Sequence, residues 1–151
     1  MKLIQFGLLG FVLLVGISAV AQSPVKWDFS SKKLDDKRFE IRLTATIQDG
    51  WHLYACEQPS DAIVFPTTVK FRQNPLVQLK GAIRAEGSLT KVREEQLGIE
   101  SWQFADRVSF VQVIELKGKV KTSVTGSIEF QVCTDEKCLP NAVINFQVPI
   151  E

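Results

Sequence analysis

Arg38 to Ile47 reads RFEIRLTATI. Phe39, Ile41, Leu43, Ala45 and Ile47 alternate with Glu40, Arg42, Thr44 and Thr46, and a period of two sets one face of a strand in a core and the other in water. The same period recurs in VKWDFS (Val25, Trp27, Phe29), TVKF (Val69, Phe71), GSIEFQV (Ile128, Phe130, Val132) and VINFQV (Ile144, Phe146, Val148). VSFVQVIEL, Val108 to Leu116, is apolar on both faces over most of its length, as a central strand is. Turn chemistry at Gln48-Asp49-Gly50, Asn74-Pro75 and Lys117-Gly118-Lys119 separates these runs. The pattern predicts seven to nine short strands. No window sustains a helical apolar period, although KVREEQLG, Lys91 to Gly98, has room for one helical turn or a structured loop. The charged run SKKLDDKR, Ser31 to Arg38, reads as a solvated loop. Short strands without alternating helices predict an all-β fold, an antiparallel sandwich of immunoglobulin-like type.

The chain opens MKLIQFGLLGFVLLVGISAVAQS, with one Lys, an apolar run from Leu3 to Val20, and the small-x-small exit Ala19-Val20-Ala21. This predicts a signal peptide over residues 1–21, cut between Ala21 and Gln22; the competing reading is an uncleaved anchor helix. No Cys follows the apolar run, so a lipoprotein anchor is not expected. Residues 22–151 are then one domain, long enough to bury a core without the help of disulfides. Removing Lys2 leaves 17 of the 18 basic residues against 17 acidic ones, and so balanced a charge implies neither a nucleic acid nor an anionic membrane as partner. No later run is long and apolar enough to cross a membrane. The expected destination is an oxidising, extracytoplasmic compartment, where cysteines are paired, protected or redox-active.

Two of the three cysteines stand in FQVCTDEKCLPNAV, Phe130 to Val143. Between Cys133 and Cys138 lies the polar loop Thr134, Asp135, Glu136, Lys137, and a four-residue hairpin loop brings its flanking residues within disulfide range. Loop entropy makes so short a ring worth only about 2 kcal/mol. Spacing alone leaves a redox pair, a quiet hairpin disulfide and a metal site open. The thioredoxin arrangement is not met, because it places two residues between its cysteines and opens a helix. A zinc site would need Cys133, Cys138, His52 and a fourth ligand without the usual Cys-x-x-Cys or a second His, and the only Met, Met1, argues against copper. No metal or cofactor is therefore expected.

With these residues in view, the chain resembles the N-terminal domain family of the bacterial thiol:disulfide interchange protein DsbD. The likeness runs from about Val25 to the end, on DGWHLYA (Asp49 to Ala55), EEQLGIESWQFADRVSF (Glu94 to Phe110) and VTGSIEFQVCTDEKCLP (Val124 to Pro140), in that order. It implies an immunoglobulin-like sandwich that carries reducing equivalents from a membrane-embedded or thioredoxin-like donor to periplasmic disulfide proteins. It also implies that Cys138 makes the intermolecular disulfide and Cys133 resolves it. Relatives of the best-known architecture carry the donor domains on the same chain; with this one ending at Glu151, the donor is expected to act in trans. A cap loop with an aromatic tip shields the family's cysteines, and Gln96 and Leu97 stand in that place here. The loop between the cysteines is one residue shorter than in the member compared.

Exchange requires a thiolate, so a neighbour that accepts or stabilises a proton matters. His52, the only His, precedes Tyr54 by two residues on one strand face, which by resemblance looks toward the pair. His52 then either takes a thiol proton, lowers a thiol pKa when charged, or is a surface-strand His without a role, and Tyr54 reads as a packing wall. Glu94 and Glu95 match acidic cap residues of the family and either modulate the pair or solvate a loop. Cys56 would share the face of His52 and Tyr54 if the strand persisted past Ala55, and it reads as a protected thiol without function. Trp27, Trp51 and Trp102 read as core or cap-supporting aromatics. The rival to a thiol-disulfide oxidoreductase is a non-enzymatic immunoglobulin-like binding module whose hairpin disulfide is inert.

Overall fold

The computed structural model describes residues 23–151, so the expected signal peptide, residues 1–21, lies outside the described residues. Nine strands follow in order: β1 (Val25–Lys33), β2 (Arg38–Ile47), β3 (His52–Tyr54), β4 (Thr68–Phe71), β5 (Val77–Glu94), β6 (Ile99–Leu116), β7 (Thr122–Phe130), β8 (Val132–Cys133) and β9 (Ala142–Ile150). One sheet has the order β1-β2-β6-β3-β8, with β5 on the other flank of β6; the second has the order β4-β7-β9. Every pairing is antiparallel. The result is the immunoglobulin-like sandwich that the alternation predicts.

RFEIRLTATI forms β2, and each apolar residue of its alternating set is buried. Opposite it on β6, Val108, Phe110 and Ile114 point the same way, since Ala45, Leu43 and Phe39 are their register partners. Ile128, Phe146, Val148 and Ile150 complete the core from the second sheet. Trp27 lies 6.1 Å from Phe110 and 5.3 Å from Phe130, which makes it a bridge between the two sheets.

The outer face of β6 explains why VSFVQVIEL looked apolar on both sides. Val111 is fully buried although it points away from the inter-sheet core. Over it, Arg42 binds Glu40 and Glu86 while Arg84 binds the same two carboxylates. Arg42 and Arg84 are the cross-strand neighbours of Val111 on β2 and β5, so their aliphatic stems cover it while their heads stay paired. Gln112 breaks the apolar run for a different reason. The pairing of β5 with β6 shifts between Lys80 and Arg84, and the buried Gln112 amide donates to the carbonyls of Lys80 at 3.1 Å and Gly81 at 3.2 Å, satisfying groups that the bulge leaves unpaired.

Two expectations need correction. The strands are not all short, because β5 and β6 run 18 residues each. Lys91–Glu94 of KVREEQLG therefore belong to β5, and Glu95–Gly98 form the hairpin turn, with Gly98 at φ 67° and the N–H groups of Leu97 and Gly98 donating to the Glu94 carbonyl. The charged run Ser31 to Arg38 is exposed as expected, but half of it is ladder: Lys33 pairs with Phe39 at the end of the β1–β2 hairpin. Only the segment between the two strands loops, tied by the Asp35 carboxylate, which accepts from the N–H groups of Lys37 and Arg38. In both places backbone pairing extends beyond the apolar alternation, because solvated side chains do not prevent a ladder from forming.

Gly126 lies at the centre of β7, opposite Phe71 on β4 and Phe146 on β9. A Cβ there would meet the Lys70 carbonyl and the Phe146 ring, whose edge-to-face partner is Phe71 at 5.5 Å. Glycine is thus required by the close approach of an aromatic ring across the sheet. Gly126→Ala is expected to cost about 1–3 kcal/mol, read as a lower urea midpoint with the slope unchanged. A midpoint equal to that of the parent would show that Phe146 yields without cost.

Candidate functional site

The three residues of β3 position the site. Leu53, fully buried, is opposite Phe104 of β6 on one side and Val132 of β8 on the other. That register places His52 directly across from Cys133. Cys133 is bonded to Cys138, with a Cα–Cα separation of 4.0 Å and an antiparallel bridge between the two residues.

The four-residue loop between them is held by its own hydrogen bonds. Thr134 Oγ1 accepts from the N–H groups of Glu136 at 3.2 Å and Lys137 at 3.1 Å, and the Thr134 N–H donates to the Lys137 carbonyl at 2.7 Å. Beyond the loop the Leu139 N–H donates to the Val132 carbonyl at 2.9 Å. A threonine at the first loop position supplies the side-chain oxygen that such a turn uses.

The two sulfurs have different surroundings. Cys133 is 1% exposed, whereas Cys138 is exposed. Around the buried member stand His52, itself buried, and Tyr54, whose ring meets the imidazole edge-to-face at 5.3 Å. Burial pushes the His52 pKa below 6.5, and the Asp135 carboxylate in the loop partly opposes that shift. Tyr54 is pushed up by burial and stays a neutral phenol at neutral pH. The Lys137 ammonium lies 5.8 Å from the centre of the Trp51 ring, a cation–π contact that turns this cation toward an aromatic face.

His52 therefore stands beside the cysteine pair with Tyr54 against its ring, and the expected cap residues lie at the β5–β6 turn. Glu94, Glu95, Gln96 and Leu97 are all exposed at the tip of the β5–β6 hairpin. Leu97 is 65% exposed and Glu95 has Arg93 as its ionic neighbour at 4.0 Å. Cys56 departs from the face of His52 and Tyr54, because β3 ends at Tyr54. Gln58 takes over there, its amide donating to the carbonyls of Ala55 and Trp102 and accepting the Trp102 N–H. Cys56 instead lines a cleft of about 330 Å³ with Ile83, Leu89, Trp102 and Phe104. Burial, with the nearby Glu57 charge, pushes its thiol up to about 11.

Sequence reasoning missed Asp135 and Gln131. Asp135 looked like any polar loop residue, and its influence on His52 exists only because the loop folds back along β3. Gln131 occupies the single position between β7 and β8. Its Nε2 donates to the Leu139 carbonyl at 3.2 Å, and its Oε1 lies 3.9 Å from Cys133 Sγ.

Residues 19–148 match the family model described as thiol:disulfide interchange protein DsbD, N-terminal. Among solved structures, the N-terminal periplasmic domain of ScsB from Proteus mirabilis is similar at 12% identity and a TM-score of 0.50, over 83% of this chain and 44% of that one. The chain thus spans less than half the length of that relative. The complex between the DsbD N-terminal and PilB N-terminal domains from Neisseria meningitidis is similar at 13% identity and a TM-score of 0.50, over 82% and 80% of the two chains. At these identities the likeness is one of fold. No curated protein sequence matches the chain significantly.

Two titrations follow from the site. In NMR of the oxidised protein, His52 is expected to titrate below 6.5, and Asp135→Asn to lower its pKa further by removing the charge that opposes burial. Because the folded value lies below the unfolded one, the unfolded chain binds more protons between the two. His52's contribution to stability is then complete above the unfolded value and declines as pH falls toward the folded one. A His52 that titrates at or above 6.5, or ignores Asp135→Asn, contradicts this placement. For Cys56, with its thiol near 11, alkylation is expected to accelerate about tenfold per pH unit between about pH 7 and 10. A rate that levels off above about pH 9, followed by mass spectrometry, would mean an ordinary exposed thiol.

Proposed function

The chain belongs to the DsbD N-terminal domain family, and from that premise we propose that it is a periplasmic thiol-disulfide exchange domain relaying reducing equivalents through Cys133 and Cys138. In this reading a membrane-embedded or thioredoxin-like donor acts in trans, periplasmic disulfide proteins are the acceptors, and residues 1–21 are the signal peptide that delivers the domain. Two relatives of the same fold support the setting: one is an N-terminal periplasmic domain, and the other is a DsbD N-terminal domain in complex with a second protein domain.

The observation that carries the proposal is the unequal burial of the two bonded cysteines, Cys133 being 1% exposed and Cys138 exposed. A donor thiolate can reach only Cys138 Sγ. Its attack forms a donor–Cys138 disulfide and breaks the Cys133–Cys138 bond, and the Cys133 sulfur leaves with the electron pair and takes a proton. The donor's second thiol then attacks its own first sulfur, releasing Cys138 as a thiolate and leaving the donor oxidised by two electrons. Discharge runs the sequence in reverse. Cys138 attacks an acceptor disulfide and expels one acceptor thiol, then Cys133 loses its proton and attacks Cys138 Sγ, releasing the second.

His52, kept neutral by burial and lying across from Cys133, is the group we assign to receive the Cys133 proton. Tyr54 packs against its ring and fixes its orientation. Glu94 and Glu95 are assigned no step. Gln96 and Leu97, at the β5–β6 turn, are the residues proposed to cap the pair.

Variants of the two cysteines test the proposal. Cys133→Ala leaves Cys138 to form mixed disulfides that nothing resolves, so covalent adducts are expected to accumulate on non-reducing gels of periplasmic extracts, while Cys138→Ala accumulates few. The wild-type pair is expected to equilibrate with glutathione at a potential above the roughly −300 mV typical of structural disulfides. Adducts with Cys138→Ala alone would reverse the two roles. A pair that stays oxidised in strongly reducing buffer, with no adducts from either folded variant, leaves the inert binding module as the better account.

A further inference from the structure

We propose that Gln131 is a positioning residue for exchange, its side-chain carbonyl receiving the Cys133 S–H that exists only while the pair is reduced. This rests on the exchange reading above. Among the described residues, Gln131 Oε1 is the polar side-chain atom within hydrogen-bond reach of either sulfur, at 3.9 Å from Cys133 Sγ. Its orientation is set from the other end of the amide, where Nε2 donates to the Leu139 carbonyl at 3.2 Å. Leu139 is itself fixed, since its N–H donates to Val132 at 2.9 Å. Flipping the amide would turn its carbonyl oxygen toward the Leu139 carbonyl, so the chain beyond the disulfide aims Oε1 at the sulfur.

The contact changes character with redox state. A disulfide sulfur has no proton to donate, so in the oxidised protein Oε1 gains no hydrogen bond from it. Reduction by a dithiol breaks the Cys133–Cys138 bond, forms the donor's disulfide, and leaves one hydrogen on each cysteine sulfur. Cys138 is exposed and its thiol can turn to water. Cys133 is 1% exposed, so its S–H needs a partner inside the protein. Gln131 Oε1 is already in place to accept it. His52 lies across the ladder from Cys133 but makes no hydrogen bond to it, which leaves the imidazole free to take the proton when Cys133 later ionises. The reduced state alone gains the S–H···O bond, and the potential of the pair rises accordingly.

Gln131→Met keeps the length of the side chain and removes the amide. Its equilibrium constant for reduction by glutathione is expected to fall about fivefold, or roughly 20 mV for a two-electron couple. Losing the Leu139 contact weighs on both redox states alike and cancels from that constant, so a purely structural role would lower the melting temperature of both forms and leave the constant unmoved. Gln131→Glu restores an acceptor whose charge also disfavours a thiolate, and is expected to return the constant to the wild-type value or above. A wild-type pair that glutathione cannot reduce defeats the exchange reading itself. A reducible wild type with Gln131→Met within twofold of it overturns the role of Gln131 alone, as does a Gln131→Glu constant as low as that of Gln131→Met. Should Gln131→Met fail to fold, Gln131→Glu against wild type decides, and a fall in its constant overturns the assignment.

Discussion

Leu53 has Phe104 on one side and Val132 on the other, and its complete burial fixes the register on which the site depends. β3 is only three residues long, so its backbone bonds do little to resist a slip. The burial of Leu53 resists it, because a shift of one residue would carry Leu53 to the outer face and turn His52 inward. At about 25 cal/mol per Å² of apolar surface, exposing a leucine costs on the order of 2 kcal/mol, a substantial share of the stability of a small domain. The pairing of His52 with Cys133 is therefore enforced by a hydrophobic residue that takes no part in the chemistry.

The same economy explains how the disulfide can open without loss of the loop. Thr134 holds the turn through three backbone partners, and Leu139 closes the ladder behind it. A ring this short adds only about 2 kcal/mol through chain entropy, so the covalent bond is a minor contributor to local order. A structural staple would cross a longer loop or join distant elements. Here the bond lies where hydrogen bonds already hold both ends, with Cys133 buried and Cys138 at the surface.

What the sequence revealed depended on whether burial alternates along a strand. In β2 it does for the apolar set, and Phe39, Ile41, Leu43, Ala45 and Ile47 were read correctly, whereas Thr44, on the face expected in water, is buried against Ser109 of β6. In β5 the burial pattern shows no such alternation, because much of the strand is exposed and borrows its structure from the ladder with β6. A pattern argument sees charges there and proposes a loop. The Glu40–Arg42–Arg84–Glu86 cluster hid a second buried surface in the same way, since only the fold brings Arg84 and Glu86 beside β2. At the site, spacing pointed to Cys133 and Cys138, and the solitary His52 stood out by its rarity. Asp135 and Gln131 acquire their neighbours from a folded-back loop and a one-residue gap between strands, neither of which leaves a periodic trace.

Under the proposed exchange function, burial would also decide which of three sulfurs acts. A reduced pair would give the domain three thiols, and an unregulated one would compete for partners in the oxidising compartment proposed for it. Cys56 is withdrawn by its cleft: with a thiol near 11, its thiolate is roughly one part in ten thousand at pH 7, and attack proceeds through the thiolate. Cys133 is withdrawn by sterics, since a partner disulfide cannot approach a sulfur that lies under the ladder. Cys138 alone is left open to a second protein. Selectivity among the three thus comes from position in the sandwich, through the burial of two of them, and needs no special chemistry at the third.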